Sequence, residues 1–131
     1  MKAIACLIAL TIIAITGTAI AQTKTKNIRH SFTIKRGATV PIGSYYLINK
    51  RNCHAGPIPQ IVQTSNPTIG KLIIEQTKVE PTQKQCRGFL IPGYVVRFAA
   101  GNKVGEEKIT YQVIYQKGVG TSVIEDAIAV Q

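Results

Sequence analysis

The side chains of this chain that could do chemistry are few: His30 and His54, Cys53 and Cys86, a lone Asp126, and the adjacent pair Glu106-Glu107. A hydrolytic triad needs a nucleophile, an imidazole base and a carboxylate that orients it. Two histidines and one aspartate, with the two cysteines expected to be oxidised, do not assemble one by any spacing in the sequence. His30 falls in the polar lead-in to the first strand pattern, and His54 beside Cys53. Neighbouring strand residues point to opposite faces, so Glu106 and Glu107 cannot share an acid/base site and are read as a solvated turn. Zinc wants four ligands at short paired spacings, which Cys53, His54, Cys86 and a distant His30 do not offer. No glycine run has the form of a phosphate-binding loop. The reading is therefore not an enzyme, with no cofactor and no metal.

Cationic residues are the better lead. The chain carries 16 Lys and Arg against 6 Asp and Glu, a formal charge of +10, which favours polyanionic partners and says nothing about fold. Met1 and Lys2 precede nineteen uncharged residues, Ala3 to Ala21, ending in Ala19-Ile20-Ala21 before Gln22. A positive start, an apolar core and a small-residue end are the three regions of a secretory signal peptide. Cleavage is expected after Ala21, giving a mature chain that is periplasmic or secreted; an uncleaved anchor is the rival, because nineteen apolar residues just span a bilayer. Cys6 leaves with the leader. The remaining 110 residues keep 15 Lys and Arg against 6 Asp and Glu, a charge of +9, and suit one domain, 22–131.

Cys53 and Cys86 are then the only thiols, an even count in an oxidising compartment, and a disulfide between them is expected. A bond of that loop length stabilises by about 3–4 kcal/mol in the chain-entropy model. It would hold two Cα atoms within about 7 Å and so join the run Asn49 to His54 to the run Lys84 to Arg87. Lys50, Arg51, Lys84 and Arg87, with His54 adding charge in mild acid, form the predicted ligand-binding patch, suited to carboxylate or phosphate groups on a polymer. The alternative is a pair of solvated loops whose charges only aid solubility.

The elements that must position these residues are strands. Phe32 and Ile34 alternate with Ser31, Thr33 and Lys35; Tyr94, Val96 and Phe98 with Val95 and Arg97; and Ile109, Tyr111, Val113 and Tyr115 with Lys108, Thr110, Gln112, Ile114 and Gln116. Further runs are Tyr45–Ile48, Ile58–Gln63, Leu72–Lys78 and Val123–Val130. Turn residues separate them at Arg36-Gly37, Asn66-Pro67, Glu80-Pro81, Pro92-Gly93, Gly101-Asn102 and Lys117-Gly118. About seven short strands without an amphipathic helix predict an all-β, immunoglobulin-like antiparallel β-sandwich, with a small barrel as the structural alternative. Asp126 breaks the last strand by sharing a face with Ile124 and Ile128; a bulge or an edge position would relieve it. Tyr94, Tyr111 and Tyr115 read as core, whereas one of Tyr45 and Tyr46 should be exposed beside Lys50-Arg51.

Three segments carry a family resemblance: Pro67-Thr-Ile-Gly70-Lys-Leu72, Gly93-Tyr-Val-Val-Arg-Phe98 and Gly105-Glu-Glu-Lys-Ile-Thr-Tyr-Gln-Val113. Their order resembles that of bacterial Ig-like and cadherin-like domains, over about residues 67–130. Glu107 stands where that family usually has Asp and Ile109 where it has an aromatic residue, and no calcium-holding acidic set is evident. The resemblance implies a sandwich with an adhesive or binding role and does not imply calcium. Two functions follow as expectations. One is a small exported basic binding module that contacts an anionic polysaccharide, an envelope component or a protein. The other is an accessory part of a cell-envelope assembly that works through its sheet edges. Nucleic acid is not the expected partner, nor is a stable transmembrane anchor.

Overall fold

A computed structural model describes residues 24–131 apart from residue 117. The expected leader, residues 1–21, and its cleavage point lie outside the described residues. Seven strands follow in order: β1 (Thr25–Ile34), β2 (Thr39–Tyr45), β3 (Gln60–Gln63), β4 (Gly70–Val79), β5 (Ile91–Ala100), β6 (Gly105–Ile114) and β7 (Thr121–Val130). A single turn of 3₁₀-helix, Lys84–Cys86, precedes β5. Among the described residues no helix is long and apolar enough to cross a membrane.

The strands form two sheets, β1-β7-β6-β3 and β2-β5-β4. Every pairing is antiparallel except β1 with β7, which runs parallel from Thr25 opposite Thr121 to Ile34 opposite Val130. Alternation sends Ile109, Tyr111 and Val113 of β6, and Ile124, Ile128 and Val130 of β7, into the same core as Leu72, Val96 and Phe98 from the other sheet. Removing such side chains from water is the main favourable term holding the two layers together.

A second, smaller core lies on the other side of the three-stranded sheet. Val79, Ile91 and Val95 have the opposite pleat parity to Phe98 and Val96, and they are buried against Tyr46 and Ile48 from the chain after β2. That chain folds back over the sheet's outer face. Gly93 permits the close passage: a Cβ there would sit 2.7 Å from the Tyr45 carbonyl oxygen and 3.2 Å from the Tyr46 Cβ.

Several sequence expectations change: the sandwich is not wholly antiparallel, since β1 runs parallel to β7, and Pro92-Gly93 lies within β5 and not in a turn. The strand expected over Tyr45–Ile48 ends at Tyr45 and begins at Thr39; Pro41 and Gly43 are accommodated because β2 is an edge strand whose register shifts between those residues. The polar lead-in is strand: β1 starts at Thr25 and contains His30. Glu106 and Glu107 belong to β6, not to a turn, and Glu107 accepts hydrogen bonds from the Thr68 and Ile69 amides at 2.9 and 3.2 Å. Asp126 is relieved by neither a bulge nor an edge, since β7 lies between β1 and β6 in unbroken register with both.

Candidate functional site

What relieves Asp126 is a set of polar partners inside the sandwich. Its carboxylate is fully buried, with Oδ1 2.9 Å from His30 Nδ1 and Oδ2 accepting from the Tyr111 hydroxyl at 3.4 Å. Tyr111 in turn shares a 2.7 Å hydrogen bond with the Tyr45 hydroxyl. Parallel pairing sets His30 directly opposite Asp126, with the imidazole 44% exposed at the sheet margin. Burial pushes the Asp126 carboxyl above its ordinary range while His30 and Tyr111 pull it back. Burial also raises Tyr45 to about 12 and lifts Tyr111 further, the shared hydrogen bond adding to the rise. The Tyr45–Tyr111 contact ties the two sheets together.

The predicted patch lies at one end of the sandwich. Chain direction brings there the segment after β2, the segment after β4 and the turn after β6. Cys53 and Cys86 are joined, with their Cα atoms 5.4 Å apart. Around Cys53 the chain makes a tight local hairpin: Asn49 donates to the His54 carbonyl at 2.9 Å, Cys53 to that of Asn49 at 2.8 Å, and Gly56 to that of Leu47 at 2.8 Å. Cys53 itself adopts φ 59°, in the left-handed region, which non-glycine residues enter rarely. Gln85 Nε2 donates to the Lys50 carbonyl at 3.3 Å, so the two segments touch beside the cystine. Lys50, Arg51, His54, Lys84 and Arg87 are all exposed.

Acidic residues are largely engaged elsewhere. Glu75 pairs with Arg97 at 2.7 Å, Glu125 with Lys108 at 3.3 Å and, more loosely, with Arg29 at 3.8 Å. Glu107 holds the Thr68 loop, and Asp126 is buried. Only Glu80 stands near the patch, and its Oε1 accepts the Gly88 amide at 3.2 Å. Among the described residues none of the four cations has a carboxylate within ion-pair distance.

Two shallow concavities adjoin this end. One, of about 480 Å³, is lined by Tyr46, Lys50, Glu80, Thr82, Gln83 and Tyr115 among others. The second, of about 470 Å³, is lined by Asn49, Asn52, His54 and Gln116. Leu47 and Ile48 form part of both walls. Of the predicted residues, Lys50 and His54 line these concavities, whereas Arg51, Lys84 and Arg87 lie outside them. Tyr46 is half-buried instead of exposed: its hydroxyl accepts the Thr82 amide at 2.9 Å and donates to Gln83 Oε1 at 3.1 Å. Sequence reasoning missed the side-chain amides Asn49, Asn52 and Gln83. Their clustering beside Lys50 and Cys53 was the available signal for the two asparagines; Gln83 had none. A further concavity of about 370 Å³ along β1, β6 and β7 includes Glu106 and Glu107 and is poorly suited to an anion.

No family model matches the chain, and no curated protein does. Among solved structures it is similar to a solution structure of amebosin, at 14% identity and TM-score 0.44, over 82% of this chain and 99% of that one. It is also similar to a structure of PbICP-C in complex with falcipain-2, at 16% identity and TM-score 0.37, over 88% and 95%. Likeness at this level carries no argument about fold or function.

Proposed function

We propose that the protein is an immunoglobulin-like module, exported from the cytoplasm, that binds an anionic polymer through the cationic end of its sandwich. The observation that carries the reading is the Cys53–Cys86 bond, which makes one neighbourhood of Lys50, Arg51, Lys84 and Arg87 while the acidic side chains are mostly engaged elsewhere. Unpaired cations keep their charge available for carboxylate, sulfate or phosphate groups, and each guanidinium offers a bidentate grip. Support for the immunoglobulin-like assignment comes from strand order: three strands, β2-β5-β4, face four, β1-β7-β6-β3, as in sandwiches whose first strand joins the far sheet. The cystine departs from that pattern, because it links two segments at one end and not strands across the core.

Retention on an anionic polysaccharide matrix across a salt series tests the reading. The native protein should elute at clearly higher salt than Arg51→Ala/Arg87→Ala. Equal elution of the two forms removes the patch as the binding site.

A second reading, an accessory component of an envelope assembly, is favoured by β1 and β4, each ten residues long with one edge unpaired among the described residues. Size exclusion on gently prepared envelope extracts distinguishes the two: a persistent large complex supports the second, a free monomer the first.

A further inference from the structure

Three of the side-chain amides at the cationic end, those of Asn49, Asn52 and Gln83, are committed in one direction. Asn49 Oδ1 accepts the Arg51 amide at 2.9 Å, Asn52 Oδ1 accepts the His54 amide at 3.0 Å, and Gln83 Oε1 accepts the Tyr46 hydroxyl. A backbone N–H requires an oxygen opposite it, so the orientation of both asparagines follows from chemistry. The Tyr46 hydroxyl accepts the Thr82 amide at 2.9 Å and meets the Thr82 hydroxyl at 3.2 Å, a contact in which Thr82 can be the donor while the Tyr46 proton goes to Gln83. Each amide therefore has its acceptor used by the fold, and among the described residues each NH₂ donates to no protein group. An amide has two such donors. The two concavities, which share Leu47 and Ile48, thus have such donors among their lining residues: Gln83 together with Lys50, Tyr46 and Tyr115 in the first, Asn49 and Asn52 in the second.

An acceptor-rich, negatively charged ligand with flat C–H faces matches that wall. Carboxylates and ring oxygens accept from amide NH₂ groups, the ammonium balances the charge, and aromatic rings pack on pyranose faces. Two neighbouring shallow hollows suit consecutive units of a chain better than one enclosed small molecule. Glu80, the single acid in the wall, can accept from a sugar hydroxyl. We propose that the two neighbouring hollows, one lined by Gln83 and Lys50 and the other by Asn49 and Asn52, bind a short run of a uronic-acid-containing polysaccharide. This rests on the anionic-polymer reading above and adds to it a defined pair of hollows and a sugar class.

The donors can be removed without disturbing the fold. Asn52→Asp and Gln83→Glu keep the oxygen that each internal bond needs and replace the free NH₂ by an acceptor. Because both add negative charge, the comparison is Asn102→Asp/Gln131→Glu, which makes the same charge change at exposed positions of the sandwich's opposite end. Titration of the exported protein with a galacturonate hexamer, followed by calorimetry at low salt, should show binding. Asn52→Asp/Gln83→Glu should weaken it at least tenfold, and the opposite-end pair no more than about twofold. Equal weakening by the two pairs overturns the hollows as the site and leaves the anionic-polymer reading standing, provided retention on a polyanionic matrix persists. Absence of binding to both hexamer and matrix overturns both.

Discussion

Replacing His30 by alanine takes the 2.9 Å partner from a carboxylate that has no exposed surface. Among the described residues the remaining side-chain donor, Tyr111, stands at 3.4 Å and also serves Tyr45. Removing one member of a buried pair commonly costs about 3–5 kcal/mol. His30 is nearly half in water, so the loss at neutral pH should be smaller, about 1–3 kcal/mol. Asp126→Asn tests the cause. The amide oxygen still accepts from the imidazole, its NH₂ can donate to the Tyr111 oxygen, and no charge is left to desolvate, so the cost should be about 0–1 kcal/mol. If the buried charge is the origin of the loss, His30→Ala made together with Asp126→Asn should add at least about 1 kcal/mol less than His30→Ala costs in the parent. Protonation gives an independent check. The folded state holds the Asp126 proton more tightly than the unfolded chain, because the folded pKa is raised from 3.8. The stability attributable to this group is therefore greatest below the ordinary value, and it declines as pH rises from there through the raised one. Asp126→Asn should lack that decline, and the difference between parent and variant isolates it from other carboxyls. Urea denaturation followed by circular dichroism between pH 3 and 8 supplies both quantities. A coupling below about 0.3 kcal/mol, or an Asp126→Asn variant less stable at pH 7 than His30→Ala, would refute the reasoning.

Breaking the disulfide with Cys53→Ala/Cys86→Ala should lower stability by about 3–4 kcal/mol. Amide hydrogen exchange should quicken in residues 46–59 and 80–90 more than in β5, β6 and β7. Glu107→Ala should cost about 1–3 kcal/mol, measured by denaturant midpoint, because the Thr68 and Ile69 amides lose their shared acceptor. Intact-mass analysis of the exported protein should find Gln22 as the first residue; retention of Met1 would reject cleavage.

The inner strands were the most readable. Residues 109–115 and 123–130 alternate because each has one face on the core, whereas 94–98 turns Val96 and Phe98 to the main core and Val95 to the smaller one. The edge strand β2 was not readable at its start, since Pro41 and Gly43 carry the chemistry of turns and only the pairing with β5 shows that an edge accepts them. Asp126 looked like a fault because its remedy is 96 residues away in His30. Continuing the alternation of Ile34 and Phe32 back two residues puts His30 on the core face, where a lone polar group needs a partner. That step was available from the residues themselves. The pairing of the two, by contrast, depended on β1 lying parallel to β7. At the candidate site the cations and the cystine were legible from composition and count. The amides were not, because what distinguishes them is which of their atoms the fold has already used.

The small core of Val79, Ile91 and Val95 lies outside the main sandwich and is covered by chain that the cystine fastens. The sandwich and its cationic end thus answer to different conditions. The sheets bury their own apolar faces, whereas the arrangement of the cationic end needs an oxidant as well. A chain held in a reducing compartment would keep its sheets without the fixed arrangement of its cationic end, and would acquire that arrangement on oxidation.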